Sequence, residues 1–324
     1  MLDTVRISAT VEKDGGELMR RGFTRSTYER LDAENHTISE AMYAKHIRGG
    51  SPHFIKYVPG RGELVTETSL PKVLHGENIT LISPADRNRV FDELSNRISN
   101  DVGDIPAVGD WEIRGRADFC FAWLAREGKA CRVGDYLGAL QAVHLSRMKG
   151  ETIEKEATQY WFNKQRRLRF YDKFAETKDP KAADLLRFEV QFNHAKRELA
   201  KFGIGNTLGE VCTWETAYIV LNDWLSKIGA TAEMGDEERI ARVLLQAMKP
   251  SQARSVMGAL VYERLFTSRQ LNQLKFPKAM LSRDRQKVLS AGLGKGVAQR
   301  GTLPPLTIPR PGKYDGSPVN PFKE

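Results

Sequence analysis

From Trp111 to Leu124 the chain alternates with a period of two. Ile113, Gly115, Ala117, Phe119 and Phe121 fall on one side; Glu112, Arg114, Arg116 and Asp118 fall on the other. Side chains of a strand point to opposite faces in turn, so this stretch predicts a long, half-buried strand rather than a helix. The same alternation marks residues 3–11, where Val5, Ile7, Ala9 and Val11 share a face. It recurs at 54–58, 63–68, 153–162, 168–174 and 185–192. Pro59-Gly60-Arg61-Gly62 and Asn163-Lys164-Gln165 are short turns between such stretches. Short turns join antiparallel neighbours, so both pairs predict hairpins.

Helical patterns sit between and after these strands. Ser83-Pro84-Ala85-Asp86 offers an N-cap, a proline at N1 and an acid in the first turn, which predicts a helix to about Ile98. A second is predicted over 134–147 and a third over 194–202, ended by Gly203. Beyond Gly205 only helices are predicted, at 214–228, 236–248, 251–265, 268–274 and 277–291. The fold class is therefore α+β: an antiparallel sheet with helices, followed by helices alone. Three domains are expected: 1–205 with the sheet, 206–292 helical, and 293–324 an extended or disordered tail with six prolines between Pro304 and Pro321. Residues 12–50 are charged and weakly periodic; they predict an insertion with a short helix around Glu40–Ile47.

Composition narrows the partners. The net charge is +9 over 324 residues. Such a balance favours a polyanion, nucleic acid first and an anionic membrane second. No apolar run reaches the ~18 residues a membrane span needs. The three cysteines, Cys120, Cys131 and Cys212, form no CxxC pair, and the first residues carry charge rather than a signal-peptide core. A cytoplasmic protein without a disulfide framework is expected.

Candidate chemistry centres on Arg166-Arg167-Leu168-Arg169-Phe170-Tyr171-Asp172-Lys173-Phe174-Ala175-Glu176. Leu168 and Phe170 face one way; Arg167, Arg169 and Tyr171 face the other. Nearby cations favour a phenolate, and arginines grip phosphate with two hydrogen bonds. Three acids also stand inside predicted strands, where acids are depleted: Glu67, Asp118 and Glu189. Converging on one face, they could hold a divalent cation through oxygen ligands. The alternative is that each acid pairs with the arginine two residues earlier, as Arg116–Asp118 and Arg187–Glu189 would. The six histidines form no His-x-His pair, and no glycine-rich phosphate loop is present.

Five segments together carry a resemblance. They are the start Met1-Leu2-Asp3 followed by a strand, Pro71-Lys72-Val73-Leu74-His75-Gly76-Glu77-Asn78, Arg116-x-Asp118-x-x-Phe121, Tyr171-x-Lys173-x-x-Glu176, and Leu186-Arg187-Phe188-Glu189 with its following helix. In this order and spacing they resemble the filamentous-phage gene II replication proteins (the phage and plasmid replication protein II/X group). More distantly they are similar to the Rep_trans initiators of rolling-circle plasmids. Glu67 matches the family's strand glutamate only with a gap before Ser69-Leu70-Pro71-Lys72, and residues 12–50 have no counterpart.

The resemblance implies a sheet related to the HUH endonucleases, with carboxylates where those enzymes use histidines. It implies a site-specific nickase that starts rolling-circle replication at origin DNA, double-stranded and then single-stranded, in a bacterial cytoplasm with host helicase and polymerase. Tyr171 would be the nucleophile and would leave a 5′-phosphotyrosyl bond. Lys173 would stabilise phosphate charge, with Glu176 orienting it or relaying a proton. Glu67, Asp118 and Glu189 would hold Mg²⁺ or Mn²⁺. Arg166, Arg167, Arg169 and Arg116 would meet DNA near the site, and Arg254 and Arg264 would do so in the helical domain. Two other classes stay open: a non-catalytic origin-binding regulator, and a metal-dependent nuclease that uses water as its nucleophile.

Overall fold

The computed structural model describes residues 1–31, 37–141, 143–153, 157–265, 278–291, 293 and 302–323. Its strands are β1 (Leu2–Thr10), β2 (Thr24–Leu31), β3 (Thr37–His46), β4 (Phe54–Val58), β5 (Glu63–Ser69) and β6 (Glu112–Leu124). A small hairpin of β7 (Arg126–Glu127) and β8 (Ala130–Cys131) follows, then β9 (Lys149–Ile153), β10 (Thr158–Phe162), β11 (Arg166–Asp172) and β12 (Leu185–Phe192). The chain forms two compact units. The first takes Met1–Cys120, Gln191–Ile219 and Arg310–Ser317; the second takes Phe121–Val190, Val220–Pro309 and Pro318–Glu324.

In the first unit β1 is central. It pairs antiparallel with β5, Thr4 opposite Ser69 through Thr10 opposite Glu63, and on its other side with β6. The predicted β4–β5 hairpin forms, with Phe54 opposite Glu67 and Val58 opposite Glu63. Gly62 closes its turn at φ 57°, in the left-handed region that glycine enters without a Cβ clash. Residues 12–50 depart from the sequence reading. Instead of a helix at Glu40–Ile47 they contain β3, paired with β2 and with β4. Most of β3 is half-buried on both faces, so no clean two-residue rhythm marks it.

The helix Arg87–Val102 starts where the sequence places it. Ser83 and Asp86 form a reciprocal capping box at its entrance. Val90, Leu94, Ile98 and Val102 form its buried stripe at every fourth residue. The helix runs four residues past the predicted end and stops at Gly103, φ 75°.

The second unit holds β9, β10 and β11 in antiparallel order, with β12 beside β11. Its core is aromatic. Phe170 of β11 stacks on Phe188 of β12 at 4.4 Å, and Trp123 and Trp161 flank the pair. The helix predicted over 134–147 is shorter, Val133–Leu140; Arg147 at φ 62° is incompatible with continuation. Later helices Glu237–Ala247, Pro250–Leu265 and Lys278–Ser290 meet the prediction closely. Ile240, Leu244, Val256, Leu260 and Val288 form their shared core. The helix predicted at 268–274 lies outside the described residues.

The proline-rich segment is not a disordered tail over 302–323. In the second unit Leu303 and Met234 exchange backbone hydrogen bonds, and Leu306 N–H donates to Ala230. The Pro304 carbonyl accepts from the Tyr136 hydroxyl, and that of Thr307 from the Trp123 indole. In the first unit Tyr314 stacks on Trp214 at 4.0 Å. Proline removes donors but leaves carbonyls free to accept, so a proline-rich strap can be fixed by donors from a core it covers. Leu306→Ala, at a fully buried position, is expected to cost about 2–5 kcal/mol, read as a lower urea midpoint. A tail without tertiary contacts would leave that midpoint unchanged.

Candidate active site

In the second unit, β11 ends on Asp172, whose carboxylate caps the next helix, Lys173–Thr177, by accepting from the N–H groups of Phe174 at 2.8 Å and Ala175 at 3.1 Å. The chain therefore turns directly after Tyr171. Two cations lie over the phenol ring. The Arg169 guanidinium lies 4.5 Å from its centroid and the Lys173 ammonium 5.7 Å. Arg169 and Tyr171 share a strand face, two residues apart, as the alternation requires. Each cation also has a carboxylate: Arg169 donates to Glu189 of β12 at 2.6 Å, and Lys173 donates to Glu176 at 2.5 Å.

The centre of this cluster is shielded from water, while Arg169 and Glu176 are partly exposed. Tyr171 is 2% exposed, Glu189 3%, and Lys173 and Arg187 are fully buried. Burial is the main influence on the Tyr171 phenol and pushes its pKa well above the usual value near 10. Arg187 and Arg169 oppose that rise, while Glu189 and Glu176 reinforce it. The sequence reading, in which arginines favour a phenolate, is thus reversed in the free protein. Desolvation of a charge outweighs two cations whose fields are already partly cancelled by carboxylates. For Arg169, burial opposes its charge, yet Glu189 and Tyr171 outweigh burial and its pKa is raised.

Two of the three strand acids lie in the first unit. Arg6 of β1 stands opposite Glu67 of β5 and donates to it at 2.7 and 3.0 Å. Arg116 donates to Glu67 at 3.3 Å and from its Nε to both Asp118 oxygens at 3.0 Å. Asp118 is 1% exposed. The arginine two residues earlier is therefore the partner of Asp118, as the spacing of two predicts; for Glu189 the donor in hand is Arg169, from the next strand. Arg6 is absent from the sequence reading. Its signal is its place at a polar position of the first strand, but only the register sets it against Glu67.

These donors do not suit a divalent cation as they stand. Guanidinium groups already neutralise all three carboxylates, and among the described residues no group of three or more His, Cys, Asp or Glu is placed to hold a metal ion. The other predicted contacts divide by environment. Arg166 lies over Trp224 at 5.0 Å and Arg167 over Tyr160 at 5.8 Å, with Arg167 exposed. Arg254 is exposed on its helix; the side chain of Arg264 lies outside the described residues.

Burial of a neutral phenol has a consequence for pH. Below the unfolded-state value near 10, Tyr171 is protonated in both states and its burial stabilises the fold in full. Above it the unfolded chain loses a proton that the folded chain keeps, so stability falls. The expected slope is about 1.4 kcal/mol per pH unit for each proton so retained. Cys212, fully buried and pushed up to about 12 by that burial, adds a fall of the same sign. Urea unfolding across this alkaline range should show the decline, and Tyr171→Phe should remove one proton's share of it.

Residues 55–211 match the family model for the N-terminal region of the phage replication-associated protein, the gene II product. No curated protein sequence matches the chain. Among solved structures, the rolling-circle replication initiator protein from Geobacillus stearothermophilus aligns with 68% of this chain and 82% of its own, at 10% identity and a TM-score of 0.30. A likeness that remote adds nothing to the assignment of fold or function. Among the described residues no helix is long and apolar enough to cross a membrane. Glu67, Asp118, Tyr171 and Glu189 all lie inside the segment that matches the gene II replication-associated family model.

Proposed function

We propose that the chain is a rolling-circle replication initiator that nicks and reseals origin DNA through Tyr171. The observation that supports this most is local. Tyr171 is clustered with Arg169, Arg187, Lys173, Glu189 and Glu176, and two of the cations, Arg169 and Lys173, lie over its ring. The cluster lies inside the segment that matches the replication family.

The proposed step follows from those groups. The Tyr171 oxygen bonds to phosphorus, and the bond from phosphorus to the 3′ oxygen breaks. The phenol proton passes to a carboxylate such as Glu176, and the departing 3′ oxygen takes up a proton to become a hydroxyl. The product is a 5′-phosphotyrosyl bond, which conserves phosphodiester energy for resealing. Arg169 and Lys173 stabilise charge on the phosphate oxygens. Because Tyr171 is shielded in the free protein, attack belongs to a DNA-bound state. A phosphate there would replace Glu189 on Arg169, exchanging one oxyanion for another. Opening would also relieve the desolvation that keeps the phenol protonated. Mg²⁺ or Mn²⁺ dependence belongs to the same proposal, with no ligand set assigned, because Glu67, Asp118 and Glu189 are each held by arginine. Host helicase and polymerase are the partners such a 3′ end would serve.

One observation favours a second reading, a non-catalytic origin-binding protein: a phenol 2% exposed, with its neighbouring charges mutually paired, is also what a structural core requires. A supercoiled origin plasmid separates the two. Nicked circles and an SDS-resistant protein–DNA adduct are expected with Mg²⁺ or Mn²⁺, and EDTA should abolish both. Tyr171→Phe should lower adduct formation at least 10³-fold, on the order of what loss of a nucleophile costs. Nicking without an adduct would assign the chemistry to water, and neither product would leave only binding.

A further inference from the structure

The long strand β6 is bulged where it passes β1. Val5 stands opposite Ala117 and Ile7 opposite Ile113, so Arg114, Gly115 and Arg116 together face the single residue Arg6. Gly115 takes φ 87° within this bulge. Bulges re-aim side chains at the edge of regular pairing. Here the two arginines part company: Arg116 goes to Glu67 and Asp118, while Arg114 reaches Glu63 at 3.2 Å and keeps half of its side chain exposed.

On the Arg114 side lies an open groove within the first unit, lined by Glu112, Arg114, Gly115, His194, Lys196 and Arg197. Its charge is unbalanced. Three cations, Arg114, Lys196 and Arg197, face one acid, Glu112. The pair between Lys196 and Glu112 is long, 3.6 Å, and both side chains are more than half exposed; such pairs are worth little in water. Arg197 is exposed and makes no ion pair among the described residues. Gly115 is part of the lining, at a φ of 87° that glycine adopts without a Cβ clash. The adjoining groove differs: it shares Glu112 and Arg114 but adds Glu63, Asp110 and Arg61, so three acids face two arginines there.

We infer that the groove at the β6 bulge is a binding site for the phosphodiester backbone of DNA, held by Arg114, Lys196 and Arg197. The site shares no residue with the Tyr171 cluster and needs no chemistry from it. It rests on the DNA partner of the proposed function and names where the backbone is gripped. Phosphate contacts of this kind position DNA without reading its sequence.

The test uses the full chain and two fluorescent probes of arbitrary sequence, a single strand and a duplex, with affinity followed by anisotropy against salt. Lys196→Ala/Arg197→Ala should weaken binding about 10-fold or more at low salt. It should also flatten the log–log salt slope by about 0.7 per lost contact on the single strand, or about 0.9 on the duplex; the probe that responds identifies the form of DNA held. Arg114→Ala should flatten the slope further. Arg89→Ala, an exposed arginine of the Arg87–Val102 helix, is the control and should bind like the parent. An unchanged slope for the double variant on both probes would overturn the inference. So would an equal loss in Arg89→Ala, which would reduce the effect to net charge. Adduct formation separates the two claims. An adduct with an unaltered slope would refute the groove and leave the nickase standing. A flattened slope with no adduct from the parent protein would do the reverse.

Discussion

The structure depends on charge compensation inside strands. Glu189, at 3% exposure, and Asp118, at 1%, are carboxylates in positions where an unpaired charge would cost several kcal/mol. Arg169 and Arg116 make them tolerable. The compensation is tight: the guanidinium of Arg169 contacts the Glu189 carboxylate at 2.6 Å and the face of Tyr171 at 4.5 Å at once. One cation thereby fixes an acid and an aromatic ring on neighbouring strands. Removing Arg169 would leave Glu189 buried without this partner and the ring without its cation.

The same interaction shows where sequence reading reaches its limit. Alternation locates β1, β4, β5, β6, β10, β11 and β12, because a strand with one apolar face writes its period into the chain. It also puts Arg169 and Tyr171 on one face, as found. What it cannot supply is the cover over that face. A position opposite apolar neighbours reads as polar and solvated, yet Tyr171 is buried, and burial reverses the expected effect of the arginines on its phenol. Pairing across strands is equally hidden. Arg116–Asp118 is legible as a spacing of two; Arg6–Glu67 and Arg169–Glu189 exist only once register is set.

Two departures from the sequence reading share a cause. The segment around β3 and the segment 302–323 both lack a dense apolar period, and both read as peripheral. β3 sits where its side chains are half-covered on each face, so no single rhythm is imposed on it. The proline-rich segment carries its apolar residues, Leu303, Leu306 and Ile308, at irregular spacings, because it forms neither helix nor paired strand but lies along a surface. Composition marks such a segment as unable to build its own core. It says nothing about whether another core needs covering, and the Trp123 indole and the Tyr136 hydroxyl find acceptors in its backbone.

The bulge in β6 shows how one backbone irregularity divides functions between neighbouring arginines. In a regular strand Arg114 and Arg116 would share a face, and both would compete for the same acids. Three residues opposite one break that equivalence. Arg116 is committed to Glu67 and Asp118, where its loss would expose two carboxylates to one another. Arg114 is left with a single contact to Glu63 and a half-exposed side chain. Stability therefore constrains Arg116 more than Arg114. A residue with less structural duty, beside a glycine whose φ of 87° disfavours any other residue, is where the fold can evolve a contact to a polyanion at little expense to itself.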